Sequence, residues 1–142
     1  MNSIVKQPKW KTVEYSRSQI IKAGKTIKKD NATADEIKLA TKVIDNWRAS
    51  HAFPMHVIYM HLRRMAKSNN SIIVAERLKR LDSIVGKLKR EPTMSLWAIQ
   101  DLGGCRVIVP SVDDVYNYAN SYENSRKRHE LVSTYDYIEQ PK

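Results

Sequence analysis

Apolar positions recur at helical spacing three times in the first half of the chain. Ile20, Ala23, Gly24 and Ile27 fall three and four residues apart, with Lys22, Lys25, Lys28 and Lys29 directed outward. Ser16 or Ser18 stands where an N-cap belongs, because a short hydroxyl side chain can accept from the free amides of a first helical turn. After Asn31-Ala32, Thr33 and Glu36 have the spacing of a capping box. They precede a second amphipathic helix through Ile37, Ala40, Val43, Ile44 and Trp47, whose indole is expected in the core. Phe53-Pro54 forces a turn, and proline tolerates the first helical position, so a third helix is expected with Met55, Ile58, Tyr59, Leu62 and Met65 as its apolar stripe. The polar run Lys67 to Ser71 ends this helical leader as a loop.

Beyond it the pattern changes. Ile72, Ile73 and Val74 are β-branched and suggest a strand entering Arg77-Leu78-Lys79. Leu78, Leu81, Ile84, Val85 and Leu88 fit a helix equally well, and periodicity leaves this boundary open. Pro92 stops the helix, Ser95 caps a short one through Gln100, and Gly103-Gly104 leads into a strand from Cys105 to Val109, with Cys105 a small buried apolar residue. Ser111 with Asp113 and Asp114 opens a last helix whose inner face is Val115, Tyr118, Ala119 and Tyr122. Arg126, Lys127 and Arg128 near its end suit either the helix dipole or a ligand. Leu131 to Tyr135 is expected as a further strand, and residues 1–12, with Lys6, Lys9 and Lys11 around Pro8 and Trp10, as a tail.

At 142 residues the chain has the length of one domain. Its 25 lysines and arginines against 15 acids give a net charge of +10, which favours phosphorylated partners or a solvated basic surface. The basic first helix carries no interleaved aromatic for base stacking, so a solvated face explains it better than nucleic acid. One cysteine excludes an intrachain disulfide and fits a reducing cytoplasm. No apolar run suits a membrane span or a signal peptide. His51, His56 and His61 are five apart, about 140° around a helix, which disfavours zinc.

The stretch from Arg77 to Arg106 carries the candidate chemistry. Arg77 and Lys79 share a face only on extended backbone, since a helix would set them roughly 200° apart, whereas Ser83 and Lys87 align on a helix. A strand delivering Arg77 and Lys79 into a helix bearing Lys87 would converge three cations on one polyphosphate, with Asp101 ahead of the next strand for a metal. On spacing alone the same residues serve as surface cations, with Asp101 as a cap or a partner of Arg106.

Three ordered blocks carry a resemblance: Arg77-x-Lys79-x-x-x-Ser83-Ile84-x-x-Lys87, Ile99-x-Asp101-Leu102-x-x-x-Arg106, and Asp136-Tyr137-Ile138-x-x-Pro141-Lys142. Together they resemble the synthetase domain of the RelA/SpoT family, which makes the alarmones ppGpp and pppGpp by moving pyrophosphate from ATP to the 3′-hydroxyl of GDP or GTP. The segment with Tyr15-Ser-Arg-Ser and Trp47-Arg-Ala-Ser-His-Ala-Phe-Pro54 resembles the helical leader of small members, some of them toxins. The resemblance implies an α+β fold: a leader over 1–70, then over 71–142 the N-terminal part of a synthetase domain, a nucleotidyltransferase-like mixed sheet flanked by helices. It implies Lys79 and Lys87 on ATP phosphates, Arg77 and Arg106 bracketing adenine, Asp101 on Mg²⁺ as the catalytic and metal residue, and Lys142 with Tyr137 at the acceptor nucleotide.

The family pattern continues past the Pro-Lys block, with a Gly-Tyr segment whose tyrosine stacks on guanine and a strand carrying a second, catalytic glutamate. The sequence stops at Lys142. The expectation is therefore a domain lacking its last strands, with an open sheet edge, weak ATP binding and poor transfer: a fragment, a truncated gene product, or one part of a homo-oligomer or of a site completed by a partner chain. Pyrophosphorylation of the tRNA 3′ end, as by toxin members, and a non-catalytic basic nucleotide- or nucleic-acid-binding module are the alternatives.

Overall fold

The computed structural model describes residues 9–142; the expected tail lies outside the described residues up to Pro8. The fold is α+β, with five α-helices, one short 3-10 turn and two strands among the described residues. Helix α1 (Arg17–Thr26) opens on a capping box in which Ser16 Oγ accepts from the Gln19 amide and the Gln19 side chain accepts from the Ser16 amide. Ser16 rather than Ser18 is thus the cap. Helix α2 (Ala34–Ser50) opens on the expected Thr33/Glu36 box, and α3 (Ala52–Ala66) follows almost without a break.

Strand β1 (Ile73–Leu78) and helix α4 (Leu81–Arg90) resolve the ambiguous boundary in favour of strand then helix. The 3-10 turn Leu96–Ala98 precedes β2 (Gly103–Ile108), and α5 (Val112–Glu123) is capped by Ser111 Oγ, which accepts from the Asp114 amide. The strands pair antiparallel, Ile73 opposite Ile108 and Leu78 opposite Gly103. The glycine pair therefore lies within β2 instead of leading into it. Gly103 faces α3, where an added Cβ would stand 3.4 Å from Met55 Sδ, at ordinary contact distance.

One apolar cluster joins the leader to the later elements. Ile20, Ala23 and Ile27 from α1 and its end, and Ala40, Val43 and Ile44 from α2, pack with Ile84 and Leu88 of α4 and with Leu96, Ile99 and Leu102. Trp47 packs against this cluster as expected, although its indole N–H is buried without an acceptor. Lys28, expected to point outward, instead donates to the Pro92 and Met94 carbonyls at 2.7 and 2.8 Å and ties α1 to the loop after α4.

Two other expectations change. Leu131 to Tyr135 is irregular, with Val132 95% exposed: β-propensity does not make a strand without a partner ladder. The Lys127 ammonium donates to the Tyr122 and Glu123 carbonyls, so at that position helix capping is realised.

Gly24 marks the closest approach in the core, where an added Cβ would meet Leu96 Cβ at 2.7 Å. In an exposed helix Gly→Ala stabilises by about 0.5–1 kcal/mol. Here the sign reverses, and Gly24→Ala is expected to destabilise by about 1–3 kcal/mol, as overpacked cores do, measured by urea unfolding.

Candidate functional site

The register of the β-ribbon sorts its side chains onto two faces, because residues directly opposite in an antiparallel pair share a face. Val74, Glu76 and Leu78 with Gly103, Cys105 and Val107 form one face. This face meets α3, through the Cys105 thiol directed at the Met55 carbonyl at 3.5 Å and His56 at 3.3 Å from Glu76. Burial raises the Cys105 thiol above its ordinary pKa, with Glu76 adding to the effect. The thiol is thus partly buried and polar-contacted rather than simply enclosed in apolar surroundings.

The opposite face is open. It carries Ile73, Ala75 and Arg77 from β1 beside Gly104, Arg106 and Ile108 from β2, all exposed. Arg77 faces Gly104 and Arg106 faces Ala75, so each guanidinium lies across from a residue with little or no side chain. Nothing stands within 4 Å of where a Gly104 Cβ would be.

At the end of the ribbon the chain leaves β1 at Lys79, whose amide still donates to Leu102 O at 2.7 Å. This bond brings Lys79 alongside the residues leading into β2. The Lys79 ammonium donates to Asp101 Oδ2 at 2.9 Å, and Lys87, one and a half turns into α4, reaches Oδ1 of the same carboxylate at 3.4 Å. The lysine side chains are 20% and 24% exposed, whereas the carboxylate is 56% exposed. Two partly buried ammonium groups are thus held at a solvent-facing acid.

A cleft of about 710 Å³ opens here, lined by Arg77, Lys79, Gln100, Asp101, Gly104 and Arg106 among others. Glu76 also borders it, but its carboxylate is turned to His56. Arg77, Lys79 and Arg106 thus line the cleft beside the Asp101 carboxylate, which Lys87 also pairs from α4, an excess of positive charge that suits a multiply charged anion. Larger apolar character belongs to other clefts, such as the one between α1 and α2, which carries no comparable cluster of charge.

The family comparison coincides with this geometry. Residues 76–142 match the model described as a region found in RelA / SpoT proteins. This segment belongs to the RelA/SpoT family. The matched RelA/SpoT segment begins one residue before Arg77 and contains every candidate site residue, while α1, α2 and α3 precede it. The match supports the nucleotide pyrophosphotransferase family in general terms for this segment. No curated protein matches the chain.

Not every candidate lies in the cleft. Tyr137 and Lys142 do not line it; the Lys142 ammonium sits over the Tyr137 ring at 4.8 Å, and Tyr137 stacks on Tyr135 at 6.3 Å. Their turn is anchored by Asp136, whose Oδ1 accepts from the Ile138 and Glu139 amides and whose Oδ2 accepts from Tyr116 of α5. Conversely, sequence reasoning missed Gln100 and Gly104, whose only signal was adjacency to Asp101 and to the strand.

Among the described residues no group of three His, Cys, Asp or Glu side chains could hold a metal ion. The donor set at Asp101 fits an ion that takes one protein carboxylate and fills its remaining positions with water and substrate phosphate oxygens, as Mg²⁺ does.

The hydrogen bond from Lys79 holds the Asp101 carboxyl below its ordinary pKa; partial burial opposes this and Lys87 reinforces it. A depressed folded-state pKa contributes stability that is present above the unfolded value and lost as pH falls through the folded one. Because the carboxylate is half exposed, Asp101→Asn should cost less than about 1 kcal/mol at pH 7. The difference from the parent should vanish below the folded-state pKa, as followed by urea unfolding across pH 2–7.

Proposed function

We propose that the cleft binds MgATP, weakly, as the donor half of a site for pyrophosphate transfer from ATP to the 3′-hydroxyl of GDP or GTP, with slow transfer expected of this chain by itself. The supporting observation is the convergence of the Lys79 and Lys87 ammonium groups on Asp101, beside Arg77 and Arg106 on one open face. In this reading Lys79 and Lys87 exchange part of their hold on Asp101 for phosphate oxygens. The guanidinium planes of Arg77 and Arg106 flank adenine, for which Arg is better suited than Lys because it is planar and weakly hydrated. Asp101 would hold Mg²⁺, which supplies charge neutralisation on the phosphates when bound.

The balance of the reaction is simple. The acceptor 3′-oxygen bonds to the β-phosphorus, the bond from that phosphorus to the bridging oxygen of the α-phosphate breaks, AMP leaves, and the hydroxyl proton passes to solvent or a base. Charge gathers on phosphate oxygens throughout, so positioned cations supply most of the stabilisation. Lys142 and Tyr137, on the turn anchored to α5, are assigned to the acceptor nucleotide in this reading.

Labelled ATP offered with GDP, GTP or tRNA and resolved by thin-layer chromatography tests the acceptor. Label on guanosine nucleotides is the expected result; label on tRNA alone would overturn the alarmone assignment. Calorimetry tests the donor site. Lys79→Ala and Lys87→Ala should each weaken MgATP by about tenfold, the scale of one charge-assisted contact. Gly104→Leu should block binding by filling the open face while leaving the thermal midpoint within a few degrees of the parent.

A further inference from the structure

Lys79 lies where three elements meet, and a residue outside the matched segment hydrogen-bonds to its backbone. The Lys79 amide donates to Leu102 O and its side chain donates to Asp101, while its carbonyl accepts from Arg48 Nε at 2.7 Å. Arg48 occupies the last turn of α2, with its side chain 25% exposed and Nη1 3.3 Å from Asp45 Oδ1.

The carbonyl it grips has no other backbone partner by position. Lys79 is past the last paired residue of β1, and helical bonding in α4 begins one residue later, with Ile84 N–H donating to Arg80 O. Loss of this bond would free the chain direction at the strand-to-helix junction, and with it the placement of Lys79 against Asp101 and against Lys87 on α4. A guanidinium donor supplies a charge-assisted bond, stronger than a neutral one, at the one carbonyl where strand and helix both leave off.

The same turn of α2 also references the other limb of the site. Trp47, adjacent to Arg48, stacks on Trp97 at 4.7 Å and 14°, and Arg17 of α1 covers the Trp97 ring at 5.1 Å. Trp97 is four residues before Asp101. One turn of the leader therefore fixes both the lysine side and the aspartate side of the ion cluster.

We infer that Arg48 is a positioning residue for the phosphate site, acting through the Lys79 carbonyl to hold the Lys79 ammonium over Asp101. It touches no substrate itself. This inference rests on the reading of Lys79 as a phosphate ligand, and its test carries a readout independent of that reading. Displacing a phosphate-binding group by about 1 Å costs on the order of tenfold to a hundredfold, so the effect should be measurable.

The full chain and its Arg48→Ala, Arg48→Lys, Asp45→Ala and Ile44→Val variants would be compared by MgATP calorimetry, urea unfolding and amide hydrogen exchange at Lys79. Arg48→Ala is expected to weaken MgATP by about tenfold and to speed exchange at the Lys79 amide while β1 and α4 retain their protection. Arg48→Lys, which still offers a cationic donor to the carbonyl, should recover most of the affinity, and Asp45→Ala should stay within about twofold of the parent. Parent-like affinity in Arg48→Ala overturns the inference, as does an equal loss in Ile44→Val at matched stability, since affinity would then follow core packing. If the parent itself binds no MgATP, the functional reading fails separately. Exchange at Lys79 then decides the positioning role alone: selective acceleration in Arg48→Ala supports it, and unchanged exchange overturns it.

Discussion

The backbone hydrogen bond from the Lys79 amide to the Leu102 carbonyl is the constraint on which the site depends. It extends the antiparallel register by one step beyond β1, just where the chain would otherwise be free to turn. With that register set, Arg77 and Arg106 must emerge on the same face, and Lys79 must lie against the residue that follows Asp101. A slip of one residue would send Arg77 toward α3 and place a charged group against Met55 and Cys105, where burial would penalise it. The packing of α3 on the other face thus enforces the placement of the charges.

Helices α1 and α2 share their apolar cluster with α4 and with the segment through Leu96, Ile99 and Leu102. Asp101 is exposed, but Leu102 beside it and Ile99 two residues before it are buried, which anchors the backbone that carries it. The acid is a solvent-facing group on a fixed base. Lys87 benefits likewise, because Ile84 and Leu88, on either side of it along α4, are completely buried.

The sequence made the leader helices, their caps and the core positions legible, since capping boxes and 3.6-residue periodicity are local signals. The strand-to-helix change between Leu78 and Leu81 was not settled by periodicity, because Leu78 fits both patterns; pairing with Gly103, a non-local event, decides it. Leu131 to Tyr135 shows the converse, a β-prone run that remains irregular among the described residues because no ladder receives it. The grouping of Lys79, Lys87 and Asp101 was anticipated from spacing and the family blocks. The grip of Arg48 on the Lys79 carbonyl was not, since nothing local relates an arginine to a carbonyl thirty-one residues away.

Asp101 bound by two ammonium groups also determines what an incoming anion encounters. The carboxylate serves as a built-in counter-ion that offsets the repulsion between the two lysines. In the proposed reading an arriving polyphosphate would trade places with an internal anion instead of meeting bare charge, and part of its Coulombic attraction would be spent on that exchange. On that reading a small anion such as chloride would gain too little to displace the carboxylate, whereas a ligand with several linked charges, bringing its own cation for the released acid, would gain on both counts.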